Sequence, residues 1–109
     1  MNLYHTTDSE GISEINPDRM RMREILEEVG SAESADAPHP DVSLVHDTSG
    51  WMVTVYPGGV VTLENLGDAD ELPFYLRKVG LSEALSLWTE LAEGNIAKLR
   101  KRPWLQDEN

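Results

Sequence analysis

The sequence predicts an α+β domain: an antiparallel four-stranded meander with an N-terminal helix and two C-terminal helices packed mainly on one face. Three observations predict it. Apolar residues recur at helical spacing before residue 30 and again after residue 81, and they alternate with period two between residues 41 and 79. Gly, Pro and acidic clusters punctuate the alternating region, as sequential hairpins require. Val, Ile, Leu and Phe number 26 of 109 residues, about 24% and above the ~20% below which a highly charged chain stays unfolded.

Each element has its own signal. Residues 1–14, MNLYHTTDSEGISE, are polar and hold no sustained period, so they read as a polar N-terminal tail or late-docking loop ahead of a single α+β domain over 15–109. A helix follows over about 17–29: Asn16 can cap, Pro17 suits the first helical position, and Ile15 can staple onto Met20. Met22, Ile25, Leu26 and Val29 form its apolar stripe, and Gly30 supplies a left-handed stop. The connector GSAESADAPHP holds no large apolar side chain. Beyond it, Asp41 to His46, Trp51 to Tyr56 and Val60 to Glu64 alternate as three antiparallel strands joined by DTSG and by Pro57, Gly58 and Gly59. Pro73 to Val79 alternates as a fourth. Ser82 can cap a helix carrying Ala84, Leu85, Trp88, Leu91 and Ala92, which Gly94 closes. Asn95 starts a second, short helix that Pro103 ends, leaving Trp104 and Leu105 to fold back or dangle.

Charge narrows the partner classes. Against 20 Asp and Glu stand 9 Lys and Arg, a net charge of -11. Between Arg23 and Arg77 there are eleven acids and no Lys or Arg, so the excess lies in the middle half of the chain. Such a protein repels nucleic acid backbones and anionic membrane surfaces, and steers in a basic protein. Lys98, Arg100, Lys101 and Arg102 complement the dipole of a helix end rather than form a nucleic-acid patch. There are no cysteines, which excludes disulfides, thiolate metal sites and thiol catalysis. With no apolar run long enough for a span and no secretory signal pattern, the expected location is cytoplasmic.

Catalytic signatures are missing. The sequence holds no nucleophile elbow, H-E-x-x-H, Walker-type loop or dinucleotide fingerprint. In HPDVSLVHD, the residues His39, Asp41, His46 and Asp47 could ligate a metal only if the connector folded back, because seven extended residues span roughly 23 Å. Ser43 and His46 fall on opposite faces of one strand, so with Asp47 they cannot form a triad. The expectation is therefore a non-enzymatic protein without metal or cofactor.

Surface recognition remains. With helices over Val42, Leu44, Trp51, Val53, Val55, Val61, Leu63, Phe74 and Leu76, the opposite face presents Ser43, Val45, Asp47, Met52, Thr54, Tyr56, Val60, Thr62, Glu64, Tyr75 and Arg77. Met and Tyr set among Thr and acids have the composition of a docking patch. The residues assigned to it are Asp47, Met52, Tyr56 and Glu64, with Asp68, Asp70 and Glu71 of the GDADE loop as its acidic rim. In general character the chain is similar to small acidic inhibitor or immunity proteins, which shield a basic partner. Two alternatives stand beside that reading: a structural homodimer pairing through the same face, and a small-ligand or metal-dependent enzyme built on His39, His46 or paired acids.

Overall fold

The structure is a computed structural model that describes residues 3–29, 41–67 and 73–106. In chain order its elements are β1 (Tyr4–Thr7), β2 (Ser13–Ile15), α1 (Arg19–Val29), β3 (Val42–His46), β4 (Trp51–Val55), β5 (Val61–Asn65), β6 (Phe74–Leu76), α2 (Leu81–Ala92), α3 (Ile96–Arg100) and β7 (Leu105–Gln106). The class is α+β, with one antiparallel sheet ordered β2-β1-β3-β4-β5-β6-β7. The expected meander is its centre, β3 to β6. The sheet nevertheless has seven strands, not four.

The extra strands come from both ends of the sequence. The described part of the segment expected as a tail is built into the sheet, because Tyr4–Thr7 lies along β3 with Thr6 opposite Leu44, and Ser13–Ile15 folds back on it as a hairpin. The Asp8 side chain closes that hairpin by accepting the backbone N–H groups of Glu10 and Ile12, each at 2.9 Å. Short polar strands of this kind hide their period, since four residues hold only two alternations. At the other end Leu105 pairs with Tyr75, so the segment after Pro103 folds back.

Period-two alternation decides which side chains reach the helices. Val42, Leu44, Trp51, Val53, Val55, Val61, Leu63 and Leu76 share one core cluster with Met22, Ile25, Leu26 and Val29 of α1. The same cluster takes Leu85, Leu87, Trp88 and Leu91 of α2 and Leu99 of α3. All described helices thus bury their apolar residues on one face of the sheet. Trp88 is fully buried and its indole N–H donates to the Val53 carbonyl at 3.3 Å, tying α2 to the middle strand. Glu90, also buried, is met by the Arg102 guanidinium through both Nε and Nη2. Hydrogen bonding to Glu90, against the opposing effect of burial, raises Arg102 above the ordinary arginine value.

Helix starts differ from expectation in detail. Asp18, not Asn16, caps α1: its carboxylate accepts the Arg21 N–H at 2.8 Å and its carbonyl accepts that of Met22. Asn16 instead takes φ 49 and leads into Pro17. Ile15 and Met20 are both exposed, so no staple forms. The N-cap of α2 is Gly80, without a side-chain hydrogen bond, rather than Ser82. Asn95 caps α3 as expected, accepting the Lys98 N–H. In the β4–β5 turn Gly58 and Gly59 have φ 92 and 87, a conformation that other residues adopt only under strain. A Cβ on Gly59 would also press on the Lys78 and Val79 backbone at 3.3 Å. Among the described residues no helix is long and apolar enough to cross a membrane.

Candidate functional site

The face turned away from the helices is built from the alternate positions of the strands. Across the sheet these fall into rows. One row runs Ile15, His5, Val45, Met52, Glu64 from β2 to β5. The next runs Ser13, Thr7, Ser43, Thr54, Thr62, Tyr75, Leu105 from β2 to β7. The second row is a ladder of five successive hydroxyl side chains, with Thr7 Oγ1 and Ser13 Oγ 3.2 Å apart. Cross-strand hydroxyl pairs of this sort stabilise a sheet modestly. Val45 and Thr54 are buried within this face, while Met52, Thr62, Glu64 and Tyr75 are half-buried.

Of the residues assigned from sequence, the structure brings three together. Met52 stands directly opposite both Val45 and Glu64, and Asp47 follows Val45 by two residues at the same end of the sheet. Asp47 Oδ2 lies 2.9 Å from His5 Nδ1, which places both side chains on this face. Among the described residues the Glu64 carboxylate has neither an ion-pair nor a hydrogen-bond partner. Tyr56 is separate. It follows β4 at the opposite end, four residues and roughly 13 Å from Met52. There both signs of charge are present, with the Arg77 guanidinium 5.2 Å over the Tyr75 ring and Asp41 next to the start of β3. The Asp47 end of the face thus carries Asp47 and Glu64, and the Tyr56 end carries Arg77 with Asp41 just before β3. Asp68, Asp70, Glu71 and His39 lie outside the described residues.

His5 lies in a segment without a sustained period, and its signal in the sequence is a Tyr-His-Thr-Thr run rich in β-formers. Leu3 and Leu66 are likewise not among the residues assigned from sequence. The backbone joins Leu3 to Asp47 and Leu66 to Gly50, so both stand at the acidic end, about half exposed at 48% and 55%.

Ser43 and His46 are on opposite faces, as the alternation requires, and His46 is buried beside Trp51. Its Nδ1 sits 2.7 Å from Ser49 Oγ, but that hydroxyl also accepts the Trp51 N–H and closes the β3–β4 turn. His5, oriented by Asp47, has no hydroxyl within hydrogen-bonding distance among the described residues. Three or more His, Cys, Asp or Glu side chains do not converge among them either. An apolar hollow of about 380 Å³ lies between α1, the β4–β5 turn and the start of α2, and of these groups only Glu27 lines it. Compared with protein-family models, with curated proteins and with solved structures, the chain matches none of them.

Proposed function

We propose that this chain is a non-enzymatic protein-binding module that meets a basic protein through the face of its sheet turned away from the described helices, in the manner of a small acidic inhibitor or immunity protein. One observation carries the reading: Glu64, half-buried and without a partner among the described residues, lies beside Met52 on a face over which none of the described helices packs. A carboxylate held on a rigid strand next to an apolar side chain is worth little to the fold and much to a cationic partner. The net charge of -11 adds long-range attraction, which governs association more than final affinity.

The same charge weighs against a second copy as the occupant, because two such chains repel. The test is paired capture from cells, using the tagged chain and a Glu64→Lys, Asp47→Lys variant, followed by kinetics with any protein lost from the variant. The expected result is a basic protein held by the first chain and lost from the second. Its association rate should fall about tenfold or more as salt rises from roughly 0.05 to 0.5 M, where screening shortens from about 14 to 4 Å. An association rate indifferent to salt, or capture unaffected by the substitutions, refutes the proposal.

A further inference from the structure

The face turned away from the described helices is not uniform, and its acidic end has a spacing that a partner must match. Asp47 and Glu64 are separated by two strands across and two residues along, about 12 Å. Half-buried Met52 lies between them, with Val45 buried beside it. Exposed Leu3, Leu66 and Ile15 border the same end, Ile15 at 76% exposure. Two acids flanking an apolar floor, with an apolar margin, complement one stripe of an amphipathic helix. In such a helix, cations seven residues apart stand about 10 Å apart on one face with apolar residues between them, and Lys or Arg side chains span the remainder.

Strand addition is the competing mode, and the sheet edge opposes it. Asp8 N–H bonds Ile12 O and Asn16 N–H bonds Tyr4 O, so β2 turns the backbone of Ile12, Glu14 and Asn16 inward. Only Ser13 and Ile15 face outward, and Asn16 with positive φ followed by Pro17 ends the edge. At the β2 edge, docking must then run through side chains on the face.

Resting on the proposed function, we infer that the partner element is a basic amphipathic helix, its cations seated on Asp47 and Glu64 and its apolar stripe on half-buried Met52 and exposed Leu66. His5 positions the first of these acids through its 2.9 Å contact with Asp47. Arg77 and Tyr56, at the far end, take no part.

The experiment titrates the isotope-labelled full chain with two synthetic 18-residue helical peptides of one composition, in about 0.1 M salt, where screening extends about 10 Å. In one, Lys residues seven apart flank a Leu stripe; in the other, Lys and Leu occupy opposite faces. The first should bind at least about tenfold tighter and shift the amide signals of His5, Val45, Met52 and Glu64. Asp47→Asn and Glu64→Gln should each weaken it about threefold or more, and Arg77→Gln should not, with thermal unfolding showing each variant folded. Equal binding of both peptides at this face overturns the helix assignment and leaves the proposed function standing. Shifts confined to the helix layer or to the Tyr56 end, or no binding by either peptide, overturn both. Sedimentation of the chain alone as a dimer that Met52→Lys dissociates assigns the face to a second copy and likewise overturns both.

Discussion

Replacing Thr6 by valine should stabilise this protein, although it removes a polar group. Thr6 sits in β1 opposite Leu44, on the side of the sheet that carries the core, at 1% exposure. Its Oγ1 is buried without a hydrogen-bond partner. A buried hydroxyl in that state retains the cost of leaving water, about 1–3 kcal/mol, with nothing gained in return. Valine has the same branched shape, so the new methyl fills the space of the oxygen and adds up to ~0.8 kcal/mol of apolar burial. Strand preference favours valine as well. The expected gain is about 1–2 kcal/mol, allowing for partial relaxation around the site. For a chain of this length that is a Tm increase of roughly 4–9 °C. In urea it shifts the midpoint upward by about 0.5–1 M at unchanged slope. A lower Tm for Thr6→Val would refute the reasoning, because it would mean that the hydroxyl is satisfied in the folded protein. Thr6→Ser separates the terms: it keeps the oxygen, loses the methyl, and should be destabilising.

Further outcomes follow from other contacts. Arg102→Leu should cost about 3 kcal/mol by leaving Glu90 buried without its partner, and adding Glu90→Gln should recover part of that loss in a double-mutant cycle of urea midpoints. Tyr4 is raised above its ordinary value of 10.0 by desolvation and by Asp18, and its hydroxyl donates to Pro17 O at 2.7 Å. The neutral phenol is thus preferred in the folded state, so its stabilising contribution is complete below pH 10 and fades as pH climbs through the folded value. Tyr4→Phe should therefore be less stable by about 1 kcal/mol at neutral pH, with the difference shrinking above pH 10 in thermal melts. Removing residues 1–15 should do more than trim a tail. It exposes β3 as an edge, so the shortened chain should unfold at markedly lower urea and associate on a sizing column.

Legibility in the sequence tracked how many residues each signal spanned. The α1 stripe of Met22, Ile25, Leu26 and Val29 and the α2 stripe through Leu91 repeat over three turns, and both helices were readable. Val42 to Leu63 alternates across three strands, so the inner and outer faces were readable as well. β1, β2 and β7 hold four, three and two residues, too few for a period to declare itself. What makes them strands is the unpaired edges of β3 and β6, a tertiary demand that no local pattern carries. The same limit hid half of the site. Met52 and Glu64 could be placed on one face by counting, whereas His5 reaches Asp47 only because a strand 42 positions away in sequence lies alongside. Tyr56 was grouped with them by face alone, and position along the strand separates it.

The two ends of the described chain add strands on opposite flanks of the sheet, β1 toward one side and β7 as the last strand on the other. They stand five strand spacings apart, about 24 Å. Because the chain holds no cysteine, Leu3→Cys and Gln106→Cys would give two unique thiols for a donor and an acceptor dye. Energy transfer between them then works as a ruler for sheet width during refolding, distinguishing a half-assembled molecule whose helices are seated from one whose outer strands have closed.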